Sequence, residues 1–343
     1  MLTLLAALSS SAAGASPVTT SPVTTSPVTT GLVTTGPVAA DPHGTIGIRL
    51  LEAPVSHRND PRALSYIVDH LHPGTTIQRK LEVSNTSRRA QHISLYPASA
   101  DIVRNAFSAP PGQVQNELAS WMSLDRPSID VAPGAKEIAQ VTIKVPPAAS
   151  RGERYGVVWA ESMAESDDAN PVRVINRVGI RVYLDVGSGG EPPSDFRIEN
   201  LTPKRAPDGS PQLEVLIRNT GKRTLDMSGT LSLSDGPSGL QAGPFPADLG
   251  VTLLPGSAAP VSVTLDKQVP DGPWKVRLTL MSGMVKRMVT ATVTFPATGT
   301  GSSVTPDQDY LPLAGLIAGL VVLPATVLGF AVRRRRRAVS PAS

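Results

Sequence analysis

The sequence predicts an all-β chain, two tandem β-sandwich domains followed by one C-terminal transmembrane helix, and three observations carry that expectation. Proline and glycine number 33 and 29 of 343 residues while aromatic residues make up 4%, a balance that favours short strands and turns over helical packing. Short runs of alternating or β-branched apolar residues recur between turn signals through the middle of the chain. Near the end, Leu311 to Val332 is apolar and free of charge.

Composition narrows the function classes. The chain has no cysteine, which removes disulfides, thiolate metal sites, a thiol nucleophile and the acylated cysteine of a lipoprotein. The formal charge of +4 belongs to a tail: the run Arg333, Arg334, Arg335, Arg336 and Arg337 supplies five positive charges, and the remainder of the chain stands at −1. No basic binding face is implied, so nucleic acid is not expected as a partner.

The two ends speak to compartment. Residues 1–15 read as a signal peptide, with an apolar stretch from Leu2 to Leu8 and the small-x-small site Ala13-Gly14-Ala15. A signal peptide opens on Lys or Arg, whereas the first basic residue here is Arg49, so the true start is expected upstream of Met1. At the other end, residues 311–332 would span about 33 Å as a helix, against a hydrocarbon core of about 30 Å. Pro312 and Pro324 are tolerated within a membrane span. The arginines of residues 333–343 place the C-terminus in the cytoplasm and everything before Tyr310 outside. The expected location is the cell membrane, single-pass, anchored from Leu311 to Val332.

Between the ends, residues 16–42 repeat the unit Ser16-Pro17-Val18-Thr19-Thr20, again from Ser21 and Ser26 and in degenerate form from Gly31 and Gly36. Such a composition builds no core and reads as a disordered, polyproline-leaning tail with sites suited to O-glycosylation. Residues 43–187 form the first expected sandwich, 188–194 a Gly-Pro-rich linker, 195–296 the second sandwich, and 297–310 a flexible stalk of about 20 Å. Strands are expected at Gln78 to Ser84, Gln91 to Tyr96, Glu137 to Val145, Gly156 to Glu161 and Val172 to Val186. The second set is Gln212 to Arg218, Gly229 to Leu233, Ala259 to Leu265, Lys275 to Leu280 and Val285 to Phe295.

The two segments resemble each other. Ser84-Asn85-Thr86-Ser87-Arg88-Arg89 matches Arg218-Asn219-Thr220-Gly221-Lys222-Arg223 as a strand running into an Asn-Thr turn with a basic pair. Ala132-Pro133-Gly134 and Val145-Pro146 match Leu254-Pro255-Gly256 and Val269-Pro270, and Gly152 with Tyr155 matches Gly272 with Trp274. Three landmarks in one order predict one immunoglobulin-like unit used twice, with Asn85 and Asn219 in equivalent turns. The first unit carries an insertion, Pro110-Pro111-Gly112 and then Val114, Leu118, Trp121 and Met122 at helical spacing, read as a short helix closing the sandwich.

The candidate ligand-contact residues are Arg177, Arg181 and Trp121. Arg177 and Arg181 share one face of a strand and would meet an anionic polymer, unless that face is simply solvated. Trp121, Trp159 and Trp274 could stack on sugar rings, though their apolar surroundings favour core positions. His70-x-His72 has no third ligand nearby and reads as solvent-facing; Asp167-Asp168 reads as a hairpin tip rather than a calcium site. The chain shows no Gly-x-Ser-x-Gly elbow, His-Glu-x-x-His, Walker loop or Gly-x-Gly-x-x-Gly. No enzyme, cofactor or metal is expected.

Asp69-His70, Pro73-Gly74-Thr75-Thr76, Ser84-Asn85-Thr86, Gly152 to Trp159, Asn176-Arg177-Val178-Gly179 and Arg181-Val182-Tyr183 make residues 45–296 similar to the actinobacterial DUF916 group, which includes the peptidoglycan-binding domain of WxL-interacting proteins. The resemblance implies a second sandwich, a membrane helix and a basic tail in this order. It also implies a non-catalytic cell-surface adaptor that contacts peptidoglycan or another wall polymer through its first domain and another surface protein through its second. The alternative is an extracytoplasmic chaperone or scaffold that uses an edge strand. Leu311-Pro312-Leu313-Ala314-Gly315 resembles the sortase signal Leu-Pro-x-Thr-Gly with Ala314 in place of threonine, so a sortase-processed wall protein stands behind retention in the membrane.

Overall fold

The computed structural model describes residues 45–163 and 175–308. The expected signal peptide, repeat tail, transmembrane run, basic tail and Asp167-Asp168 lie outside them, and no helix among the described residues is long and apolar enough to cross a membrane.

The first domain is built from β1 (Ile46–Leu50), a short helix α1 (Pro61–Ser65), β2 (Ile67–Leu71), β3 (Thr76–Asn85), β4 (Gln91–Ser99), the hairpin β5 (Asp101–Val103) and β6 (Ala106–Ser108), α2 (Glu117–Trp121), β7 (Met122–Leu124), β8 (Ser128–Val131), β9 (Lys136–Lys144), β10 (Gly152–Met163) and β11 (Ile175–Val186). The second contains β12 (Phe196–Arg205), β13 (Pro211–Asn219), β14 (Leu225–Ser234), β15 (Ala242–Leu253), β16 (Ala258–Thr264), β17 (Gly272–Ser282), β18 (Val285–Phe295), β19 (Gly299–Thr300) and β20 (Asp307–Gln308). Each strand predicted above is present over its described residues, the one expected from Val172 being described from Ile175, while β1, β2, β5 to β8, β12, β15, β19 and β20 are additional; most are too short or too polar to show a periodic signal.

Each domain is a two-sheet sandwich, and alternation explains why. Along β16, Ala259, Val261 and Val263 are buried while the residues between them face water; along β17, Trp274, Val276, Leu278 and Leu280 do the same. The sheets run β1-β3-β9-β7 and β2-β11-β10-β4-β8 in the first domain, and β16-β13-β12-β19 and β15-β14-β17-β18-β20 in the second. The two orders share one arrangement, in which β1, β3, β4, β8, β9, β10 and β11 correspond in sequence and pairing to β12, β13, β14, β15, β16, β17 and β18.

The landmark turns agree at atomic detail. Asn85 and Asn219, each 1% exposed, end the second of the corresponding strands. Asn85 Nδ2 donates to the carbonyls of Arg89 (2.7 Å) and Val131 (2.9 Å); Asn219 Nδ2 donates to those of Arg223 (2.8 Å) and Leu253 (2.9 Å). Each side-chain oxygen accepts from the backbone N–H two residues on, Ser87 or Gly221, at 2.9 Å. The facing Pro-Gly turns place Gly134 and Gly256 at φ of 69° and 76°, a conformation glycine adopts without penalty.

Two expectations are corrected. The helix spans only Glu117–Trp121, because Asn116 caps it by accepting from Ala119 N at 2.8 Å, and Val114 stands outside it and exposed. Leu118, Ala119 and Met122 close the core as expected. The stalk is no free leash over its described part. β19 pairs with β12, Val304 and Leu201 exchange both backbone hydrogen bonds at 2.8 Å, and β20 pairs with β18, Gln308 opposite Val289. Backbone hydrogen bonds, invisible in a Thr-Gly-Ser-Pro composition, hold this segment across both sheets of the second domain.

Candidate functional site

The structure places the candidate residues in two regions of β11. At its first half, Arg177, Gly179 and Arg181 point away from the core, opposite Glu161, Trp159 and Val157 of β10, which are followed by Ser94, Tyr96 and Ala98 of β4. Arg177 donates to Glu161 Oε2 at 2.6 Å, and the Tyr96 hydroxyl donates to the same oxygen at 2.5 Å. Burial and that carboxylate push the Tyr96 hydroxyl up to about 12. The Trp159 ring packs against Gly179, where a β-carbon would come within 2.6 Å of it. Arg177 is therefore neutralised within its own sheet.

The second half of β11 belongs to the junction between the domains. Tyr183 is buried among Tyr66, Tyr155 and Phe107, with ring centroids at 5.9, 5.9 and 5.4 Å. Arg62 covers the Tyr183 ring at 4.1 Å, and Arg181 stacks on Tyr66 and Phe107 at 5.1 and 4.8 Å. Asp226 of the second domain binds all three polar groups. It accepts from Arg62 Nε at 2.7 Å, Tyr183 Oη at 2.8 Å, Arg181 Nη1 at 3.4 Å, and its own neighbour Thr252 Oγ1 at 2.8 Å. Burial opposes the charge on Arg62, but attraction to Asp226, Tyr183 and Glu153 outweighs it and raises Arg62 above a free arginine. Burial, with Asp226 beside it, likewise raises Tyr183.

More contacts lock the same joint. Glu153 Oε2 accepts from Thr224 N at 2.9 Å and from Tyr155 Oη at 3.1 Å, and Tyr155 shares a 2.7 Å hydrogen bond with Thr224 Oγ1. The β5–β6 hairpin turns through Arg104 and Asn105, both at positive φ as a type I′ turn requires, and Asn105 O accepts from Thr252 N at 2.8 Å. The linker is tied as well, since Glu191 pairs with His57 and Arg223, and Pro193 O accepts from Lys222 N. His70, expected to face solvent, hydrogen-bonds Asp185 at 2.5 Å and Gly189 O at 3.1 Å and so anchors the start of that linker.

Trp121 is half-buried against the core, with the Arg154 guanidinium over its ring at 4.8 Å; Arg154 also binds Glu117 at 2.8 Å. Trp159 and Trp274 are buried. The residues proposed for polymer contact are thus committed inside the protein, and they are not brought together on a surface. A cleft of about 680 Å³ lies between the β5–β6 hairpin, α2 and the start of β10, lined by Asp101, Asn116, Glu117, Glu153, Arg154 and Tyr155, groups that already bond one another or the backbone. Among the described residues no group of three or more potential ligands could hold a metal.

An open backbone remains. β11 pairs with β10 along its whole length, but with β2 only from Val182 to Val186. From Ile175 to Arg181 no described strand hydrogen-bonds its other side, although β1 runs close to β11, and the half-buried Val178 and Ile48 lie at the rim of the core there. Sequence patterns mark strands but not which of them lie at an edge.

No family model matches the chain, and no curated protein does. Solved structures are similar at a distance. The class 5 fimbriae chaperone CfaA aligns over 73% of this chain and 99% of its own at 14% identity and a TM-score of 0.34. The E. coli chaperone DraB aligns over 77% and 96% at 10% identity and 0.36, and the Pseudomonas aeruginosa CupB2 chaperone over 67% and 97% at 14% identity and 0.33. Likeness of this order carries no argument about function, and the all-β sandwich architecture rests on the strand pairings themselves.

Proposed function

We propose that the chain is a non-catalytic, membrane-anchored extracytoplasmic binding protein that takes an extended segment of a partner polypeptide by strand addition along Ile175 to Arg181 of β11. The observation that carries this reading is the half-paired strand: β10 binds one side of these residues and β2 stops at Val182. An added strand would gain main-chain hydrogen bonds over about 23 Å, at about 3.3 Å per residue, while Val178 and Ile48 would favour apolar side chains at alternate positions. Arg177 and Arg181 are spent on Glu161 and Asp226, which favours a polypeptide over an anionic wall polymer at this face. The hydrogen bonds that cross the junction support a scaffold that presents this edge in one orientation.

The test compares ten-residue peptides of alternating valine and serine with scrambled peptides of the same composition, measured by fluorescence anisotropy against the wild-type protein, Val178→Asp and, as a control on an exposed residue of β9, Ile138→Asp. The alternating peptides should bind better than the scrambled ones, and Val178→Asp should weaken them at least about tenfold through a desolvated carboxylate in the groove. Equal binding by both peptide sets, no binding, or an unaffected Val178→Asp protein would end the proposal.

A further inference from the structure

We infer that the end of the second domain bearing the β17–β18 turn, together with the adjoining α1 segment of the first, rests on an anionic lipid surface. The inference depends on the reading of residues 311–332 as a membrane span and not on strand addition at β11.

The route of the chain leads to it. Residues expected to hold the domains away from the bilayer are instead laid along the second domain, first on β12 and then on β18. β20 runs antiparallel to β18, with Asp307 opposite Thr290 and Gln308 opposite Val289, so the chain at Gln308 is heading for the start of β18 and the turn at Gly283 and Met284. The apolar run begins at Leu311. Three residues reach at most about 10 Å. A span that starts there brings the headgroups to this end of the domain, and no length is left for a leash.

The surface presented there has the chemistry of an interface with lipid. Met284 at the tip of the turn is 66% exposed. The turn abuts the first domain, since a β-carbon on Gly283 would come within 2.9 Å of the Asp60 carboxylate, and Asp60 caps α1. The same connection carries Val55 and Leu64, 77% and 54% exposed. Lys286 and Arg58 are exposed beside these apolar residues, and neither has an ion-pair partner among the described residues. Three of the nearby carboxylates are occupied, Asp60 by the α1 backbone, Asp195 by Arg287, and Glu191 by His57 and Arg223, while Asp307 on β20 is exposed. Protruding apolar tips flanked by free basic residues suit insertion between anionic headgroups. An aqueous face would not need them.

One consequence links this surface to the open edge. The junction lies at the second half of β11, and Ile175 is eight residues before Tyr183, about 26 Å along the strand. That length separates the far end of the open strand from the junction.

Because the chain has no cysteine, a single introduced thiol is a unique label. The full chain carrying Met284→Cys, Leu64→Cys or, as a distant control at the end of β10 opposite Ile175, Met163→Cys is labelled with a fluorophore and reconstituted into phosphatidylcholine vesicles with or without about 30% phosphatidylglycerol. Flotation reports the span, and lipids spin-labelled at the headgroup report the distance. Quenching at 284 and 64 several times that at 163, strongest with phosphatidylglycerol and reduced about fivefold or more by Arg58→Glu with Lys286→Glu, is the expected result. Chains that float with the vesicles but show equal quenching at all three positions overturn the apposed surface and leave the membrane span standing. Chains that do not float overturn the span, and the inference with it.

Discussion

Removing the Asp226 carboxylate should separate two domains that otherwise unfold as one. Asp226→Ala deletes hydrogen bonds to Arg62, Arg181 and Tyr183 of the first domain and leaves an Arg62 side chain only 7% exposed without its counter-charge. Unit charges about 4 Å apart interact by about 4 kcal/mol at an effective dielectric of 20, and breaking one partner of a buried pair costs about 3–5 kcal/mol. That is a large share of a typical stability of about 5–15 kcal/mol. The assay is urea unfolding of a fragment spanning residues 45–308, followed by tryptophan fluorescence, with Trp121 and Trp159 reporting on the first domain and Trp274 on the second. The wild-type fragment should give one transition, and Asp226→Ala two, the first shifted to lower urea. Asp226→Leu combined with Arg62→Met should recover most of the loss, because the penalty lies in the orphaned charge. A single transition within about 1 kcal/mol of wild type for Asp226→Ala would refute the view that this carboxylate couples the domains.

Asn85→Ala and Asn219→Ala should each lower stability by about 2–3 kcal/mol, since each strands two buried carbonyls and a turn N–H; thermal unfolding showing a marked loss at one position only would contradict their equivalence. Gly179→Ala should displace the Trp159 ring, which a β-carbon would approach to 2.6 Å, costing about 1–3 kcal/mol and red-shifting tryptophan emission, and unchanged emission would refute the packing. Hydrogen bonding from Arg49, followed by Lys136, holds the Glu82 carboxylate down at about 2 from an ordinary 4.5. A depressed folded value stabilises above the unfolded one, so the Glu82 contribution is complete above about pH 4.5 and is lost as pH falls towards 2. The stability difference between wild type and Glu82→Gln should therefore be small, below about 1 kcal/mol for this solvent-screened group, constant from pH 5 to 8, and vanishing near pH 2; a difference that grows on acidification would reverse the sign of the argument.

Local chemistry determined much of this protein from the sequence alone. Side chains alternate with period two along a strand, so the buried sets of β3, β9, β13, β16, β17 and β18 could be read directly. The repeated Asn-Thr turn and Pro-Gly corner could be read for the same reason, because each satisfies its backbone within a few residues. Pairings between distant residues could not. Asp226 follows Leu225 in an ordinary amphipathic strand, and only the folded chain brings it to Arg62, 164 residues earlier. Arg181 likewise reads as an outward-facing charge until the second domain closes over it. The last case is the segment after Phe295, whose composition carries no apolar signal. Its place along β12 and β18 is set by backbone hydrogen bonds, which every residue but proline offers alike, and the tertiary structure alone decided which of them would meet.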